Sequence, residues 1–429
     1  MKTPLPLLAS LWLAALPAAV FADRVVSPAY LEVSEVANSM ELTAPEKIAR
    51  LRELTRKEET RMMALYQLDT IDAAAGVDMA TALFHAADTP RQTKLRMGHF
   101  LLEGNRPRRE GFPNAFVAEF ARHLVQAILD GGEAEFCQKL EGHPMTAVGE
   151  YAYLASDFDG YKGLDFAPFK DARLVPILIR CLDAPDNVFS ADQGCVVRGK
   201  PGEPTGRNTA RQQIPVALAK LGDARAIKPL GKVLFHHADI NQRMNAAYAL
   251  ARLLDQKEER TAIGRRLLAE PDLVWCRLPF GKGLIEARDD AGVEFLSIRH
   301  AGESTDRIGF PNALFYHLDR RLDILKDFKS PKVGDFIGET LDFGPWRDLL
   351  LFKPGSAKID PNAYLHPPKD ESEALELCLP RILRTYGSTL DCVRLNRLNS
   401  LSGKLEEIAT QSRSEPIRRM TREVLTAIR

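Results

Sequence analysis

Apolar residues recur three and four positions apart through most of this chain, the period of a helix buried along one face. Ile48, Leu51 and Leu54 make such a stripe, and Met62, Leu65 and Leu68 resume it. Phe116, Phe120, His123, Leu124 and Ile128 make another. Thr43-Ala44-Pro45-Glu46 has capping-box spacing with an early proline and predicts a helix start. Thr89-Pro90-Arg91-Gln92 repeats that signal ahead of Leu95, His99 and Leu102. Alternating runs of β-branched residues are scarce. The pattern predicts an all-α protein.

The middle of the chain repeats itself. Asp171-Ala172-Arg173-Leu174-Val175 leads into Leu178, Cys181 and Leu182. Asp223-Ala224-Arg225-Ala226-Ile227 leads at the same spacing into Leu230, Val233 and Leu234. Each Asp can cap a first helix whose apolar positions form a wide buried stripe. A second helix follows each time. Arg211 precedes Ala217-Leu218-Ala219-Lys220-Leu221 in one copy, and Arg243 precedes Ala249-Leu250-Ala251-Arg252-Leu253 in the other. Alanines let helices approach closely and leucines fill the seam, so a single pair leaves apolar surface bare and such units stack.

Leu221-Gly222-Asp223-Ala224-Arg225-Ala226-Ile227, followed by a helix, an Arg and an Ala-rich helix, resembles the HEAT-like repeats of the phycobilisome-lyase type. The clear part of the resemblance runs from Asp171 to Asp255. A degenerate copy is expected at Gly283-Leu284-Ile285-Glu286-Ala287-Arg288-Asp289-Asp290. Another is expected where Leu405, Ile408 and Ala409 precede Pro416-Ile417-Arg418. The resemblance implies an α-solenoid of stacked antiparallel helix pairs, an ARM-type superhelix with loop insertions, and most often a scaffold for protein contacts. Some relatives act on bilins, but no lyase residues are recognisable here. The expected organisation is a signal peptide over 1–22, a helical region over 23–150, HEAT-like repeats over 151–275, an irregular helical region over 276–370, and C-terminal helical repeats over 371–429. Gly111-Phe112-Pro113-Asn114-Ala115 recurs as Gly309-Phe310-Pro311-Asn312-Ala313, which reads either as a longer duplication or as two unrelated helix starts.

The N-terminus changes the setting. Lys2 and the apolar run Leu5 to Val20, followed by Val20-Phe21-Ala22, read as a secretory signal cleaved after Ala22 and predict a periplasmic or extracellular protein. No later segment is apolar enough for stable membrane insertion. Charge is balanced, with 58 basic and 58 acidic residues, which argues against nucleic acid as a partner. Six cysteines in an exported chain permit disulfides, and Cys181 with Cys195 and Cys378 with Cys392 share one spacing of fourteen positions. These are the disulfide candidates, with buried unpaired thiols as the alternative. No C-x-x-C occurs.

Candidate chemistry is sparse. The first repeat carries an insertion, Asp183 to Asn208, rich in Pro, Gly and charge, and long loops on rigid scaffolds are where binding concentrates. Arg198, Lys200, Glu203 and Arg207 are its candidate binding residues. Asp157-Phe158-Asp159-Gly160 with Asp165 looks like a calcium loop, but Ala155 and Phe166 fall where ligands are needed, so a plain turn is expected. His236-His237-Ala238-Asp239 falls where a helix should end, and capping is the expected role. Asp289-Asp290 could serve as glycosidase carboxylates, as could any acidic pair. Trp346 is expected to pack in the core. No hydrolase, zinc-protease, nucleotide or dinucleotide signature occurs, so neither a cofactor nor a metal is expected. The leading expectation is an exported scaffold that binds a protein. The alternative is a secreted α/α-barrel hydrolase or lyase acting on polysaccharide.

Overall fold

The computed structural model describes residues 27–102, 114–131, 147–157, 166–182, 209–297, 312–356 and 368–429. Every regular element among these residues is a helix. None is long and apolar enough to cross a membrane. The chain divides into two compact units, 1–124 with 139–144, and 125–138 with 145–429.

The first unit holds α1 (Pro28–Asn38), α2 (Ala44–Leu54), α3 (Arg61–Ile71), α4 (Ala73–His85), α5 (Arg91–Leu102) and the start of α6 (Asn114–Gly131). The expected box opens α2, with Glu46 accepting from the Thr43 N–H at 2.8 Å. Val33, Leu51, Leu54, Ala64 and Leu68 close one core, while Phe84, Phe100, Phe116 and Phe120 fill another part. Phe120 packs directly over Gly98, where even a methyl group would collide with its ring.

The second unit contains α7 (Ala147–Asp157), α8 (Leu174–Leu182), α9 (Thr209–Leu221), α10 (Ile227–His236), α11 (Ile240–Leu253), α12 (Lys257–Ala269) and α13 (Val274–Glu286). It continues with α14 (Asn312–Leu325), α15 (Pro331–Asp342), α16 (Gly344–Leu350), α17 (Glu371–Asn396), α18 (Ser402–Gln411) and α19 (Glu415–Ile428). Within it α7 packs on α9, α9 on α11, α11 on α13 and α13 on α14, while α8 packs on both α9 and α10. The two repeat copies predicted from sequence adopt one local geometry. Asp171 Oδ1 accepts from Arg173 N at 2.9 Å, and Asp223 Oδ1 accepts from Arg225 N at 2.9 Å. Each carboxylate also holds its arginine side chain, at 2.7 and 2.6 Å. The second arginine reaches back to the first copy, Arg225 Nη2 donating to Ala172 O at 3.0 Å.

The degenerate copy at Gly283–Asp290 follows the same path. Gly222 (φ 72°) and Arg288 (φ 62°) are both left-handed, and each precedes an Asp that caps a short 3-10 helix, Ala224–Ala226 or Asp290–Leu296. Glycine adopts that conformation freely, whereas Arg288 adopts it at a cost.

Arginines fasten α11, α13 and α14 to the end of the element before each. Arg243 Nε donates to Leu234 O at 2.9 Å, Arg277 Nε to Leu267 O at 2.8 Å, and Arg321 Nε to Leu296 O at 2.8 Å. Arg61 does the same for Thr55 O at 3.0 Å in the first unit. The last carbonyls of a helix have no intrahelical partner and carry its negative pole, so a guanidinium there satisfies both needs. Close approach also depends on glycine. A Cβ at Gly283 would lie 2.6 Å from Tyr248 O and 2.7 Å from Ala251 Cβ, so α13 meets α11 backbone to backbone.

One disulfide expectation fails. Cys378 and Cys392 lie on the single helix α17. Fourteen residues of helix separate them by about 21 Å, far beyond the reach of a disulfide. The shared spacing closes a loop only if the chain turns back between the two cysteines, but α17 continues through Pro380. Cys195, the expected partner of Cys181, lies outside the described residues, as does Cys137.

Candidate functional site

Helices α9, α11, α13 and α14 each contribute one stripe of side chains to a common groove, from the buried Val216 and Tyr248 to the exposed Lys282 and Arg320. On α9 the stripe is Gln213, Val216 and Lys220. On α11 it is Met244, Tyr248 and Arg252, and on α13 Leu278, Lys282 and Glu286. Arg320, Ile324 and Asp327 extend it on and just beyond α14. Spacings of three and four residues keep each set on one helix face. The groove comprises two hollows of about 190 and 430 Å³ that meet at Ile324.

The first hollow has an apolar floor of Val216, Met244, Leu278, Pro279 and Ile324, flanked by the side-chain amides of Gln213 and Asn245. Asn245 also ties α11 to α9, donating through Nδ2 to Gln212 O at 2.6 Å. Tyr248 is spent on a local network, because its hydroxyl donates to Glu286 Oε2 at 2.6 Å. Arg252 Nη1 donates to the same oxygen at 3.1 Å, and Lys282 Nζ lies 3.7 Å from Glu286 Oε1. Lys282 Nζ also stands 5.6 Å from the centre of the Tyr248 ring. Arg320 is held by its own helix, donating to the Tyr316 hydroxyl at 2.6 Å.

Charge is uneven here. Lys220, Arg252, Lys282, Arg288 and Arg320 give five cations in the lining, against the two carboxylates Glu286 and Asp327. The chain as a whole is neutral, so the excess is local. Beside the groove on α14, His317 packs against Trp275, with ring centres 6.4 Å apart. Burial, reinforced by Arg321 and Arg320, pushes its pKa down to about 4, so it is neutral at ordinary pH.

The sites expected from sequence fare differently. Arg198, Lys200, Glu203 and Arg207 lie outside the described residues, and so do Asp159, Gly160 and Asp165. His236 is the last residue of α10, as the capping reading expects. His237 Nδ1 accepts from Asp239 N at 3.0 Å, and Asp239 caps α11 by accepting from Asn241 N at 2.8 Å. Gln212 Nε2 donates to the remaining Asp239 oxygen at 2.9 Å, which commits that carboxylate to structure. Among the described residues no group of three or more His, Cys, Asp or Glu could hold a metal.

Asp289 is a cap and an ion-pair partner, with Arg260 Nη1 at 2.8 Å. Burial would raise its pKa, but the Ala291 N–H and the Arg260 guanidinium outweigh burial and hold it below the usual carboxylate range. Trp346 is fully buried, edge-on to Phe315. Burial pushes the Cys276 and Cys392 thiols up to about 12, leaving them protonated and unreactive.

The groove itself carries no motif, but it does carry a register. Val216, Tyr248 and Lys282 stand 32 and 34 residues apart, as do Arg211, Arg243 and Arg277, so one repeat position supplies a different chemistry from each helix. Aligning second helices on their arginine would have located the lining. Compared with known protein families, curated proteins and solved structures, the chain matches none.

Proposed function

We propose that this chain is an exported HEAT-like repeat scaffold, an α-solenoid whose second unit binds a protein partner along the groove crossing α9, α11, α13 and α14. The observation that supports this most is the convergence of equivalent repeat positions on one continuous surface with an aliphatic floor and a cationic rim. Consecutive second helices packed side by side offer such a surface by construction, and stacked repeats commonly use it for binding. A polysaccharide-cleaving enzyme has weaker support. Its chemistry needs a pair of poised carboxylates, and Glu286 in this groove is tied to Tyr248, Arg252 and Lys282.

A photo-crosslinking residue at Met244, on the groove floor, is expected to capture one specific protein from the extracytoplasmic fraction. The same residue at exposed Glu259 on α12 is expected to capture none of it. Equal labelling from both positions refutes the groove as the docking site. Deleting the loop 183–208 tests the other candidate surface. N-terminal sequencing of that fraction is expected to begin at Asp23, and a chain retaining Met1 in the cytosol would end the export reading.

A further inference from the structure

We infer that the occupant of this groove is an extended peptide segment in which acidic residues alternate with aliphatic ones, an inference that rests on the scaffold reading above. Lys220, Arg252 and Arg288 lie at or just past helix C-termini, where cations have an ordinary role against the helix dipole. Lys282 and Arg320 lie mid-helix, and the partners they have, Glu286 at 3.7 Å and the neutral Tyr316 hydroxyl, leave net positive charge over the hollow. Lys282 is the ninth residue of the thirteen in α13, and Arg320 the ninth of the fourteen in α14. Both are exposed, and both face the first hollow, where the aliphatic floor and the amides of Gln213 and Asn245 also lie. Aliphatic floor, amide donors and acceptors, and cations together match the side chains and backbone of an acidic–apolar strand.

The same residues disfavour a nucleic acid or an anionic sugar polymer. A single-stranded nucleic acid stacks its bases on open aromatic faces, whereas Tyr248 is buried with Lys282 near its ring, and the aliphatic floor leaves the hydroxyls of a sugar polymer without partners. Packed helices stand 8–10 Å apart, so the three steps from α9 to α14 span about 24–30 Å. A strand rising roughly 3.3 Å per residue covers that distance in about seven to nine residues.

The test is fluorescence anisotropy on the full mature chain with three labelled probes. They are a decapeptide alternating Glu with Val, the same peptide with Lys for Glu, and polygalacturonate. The acidic peptide is expected to bind, to weaken with added salt, and to lose roughly ten- to thirty-fold in the double variant Lys282→Glu with Arg320→Glu. Both side chains are exposed, so circular dichroism of the variant should match the parent, and Glu259→Lys on α12 serves as a control that leaves binding unchanged. Preference for the Lys peptide or for polygalacturonate overturns the inference, as does acidic-peptide binding that the double variant leaves intact. If the acidic peptide fails while the Met244 crosslink still captures a protein, the scaffold reading stands and only the stated chemistry falls. If both fail, both fall.

Discussion

Two helical glycines of the second unit make opposite predictions for the same substitution. Alanine is preferred over glycine inside a helix by about 0.5–1 kcal/mol, so Gly→Ala stabilises wherever the new methyl has room. Gly231 in α10 has that room, with nothing within 4 Å of an added Cβ. Gly231→Ala should therefore gain about 0.5–1 kcal/mol. At Gly283 the methyl would sit 2.6 Å from Tyr248 O and 2.7 Å from Ala251 Cβ. The first of these is backbone, so relief requires α13 to draw away from α11. Overpacking of this kind costs roughly 1–3 kcal/mol, which outweighs the helical gain and leaves a net loss of about 1–2 kcal/mol.

Urea unfolding followed by tryptophan fluorescence reads this region directly, because Trp275 and Trp346 both lie in the second unit. The two variants should differ by about 2 kcal/mol, or roughly 3 °C in Tm for a unit of about 300 residues. Ala251→Gly removes one of the two collisions but itself costs about 0.5–1 kcal/mol of helix preference, so it should cost less in the Gly283→Ala background than in the parent. A Gly283→Ala protein as stable as Gly231→Ala, or an Ala251→Gly cost equal in the two backgrounds, would refute backbone contact between α11 and α13.

Arg277 is buried and donates to Leu267 O and to Leu268 O at 2.8 and 3.1 Å, so Arg277→Met strands both carbonyls and should cost about 3 kcal/mol by urea midpoint. Arg225→Met, at an exposed site whose ion pair with Asp223 is open to water, should move that midpoint by less than about 1 kcal/mol. His317 binds its proton at about 4 when folded and near 6.5 when unfolded, so its contribution is fully present above pH 6.5 and is lost as pH falls towards 4. The urea midpoint should accordingly fall between pH 6.5 and 4.5 less steeply in His317→Gln than in the parent. Peptide mapping without reductant should recover no Cys378–Cys392 link, and finding one would contradict the continuity of α17.

The fold was legible where local chemistry decides the backbone. Thr43 with Glu46, Asp171 with Arg173, and Asp223 with Arg225 satisfy helix-end groups within a few residues, so their spacing alone foretells the element. The degenerate repeat was readable through Asp289, although Arg288 replaces the glycine that normally marks the turn. What failed was a long-range inference drawn from spacing. Fourteen residues between two cysteines close a loop only if the chain turns back, and packing of Leu375, Ile382, Tyr386 and Leu390 in the core holds α17 helical past Pro380.

The arginine of each second helix shows where sequence reading stops short. Its recurrence was visible at Arg211 and Arg243, but its purpose was not, because the acceptor is a main-chain carbonyl and leaves no trace in residue identity. Arg277 and Arg321 perform the same task in helices without the alanine pattern, so composition hid them. The groove was hidden for the reverse reason. Its positions repeat while their chemistry does not, from Val216 to Tyr248 to Lys282. Fixed arginines set the helices in register, and the freedom left on the facing surface is what allows one scaffold to be adapted to a particular partner. Changing Met244, Lys282 or Arg320 should therefore alter what is bound at little expense in stability, whereas changing Arg277 or Gly283 should do the opposite.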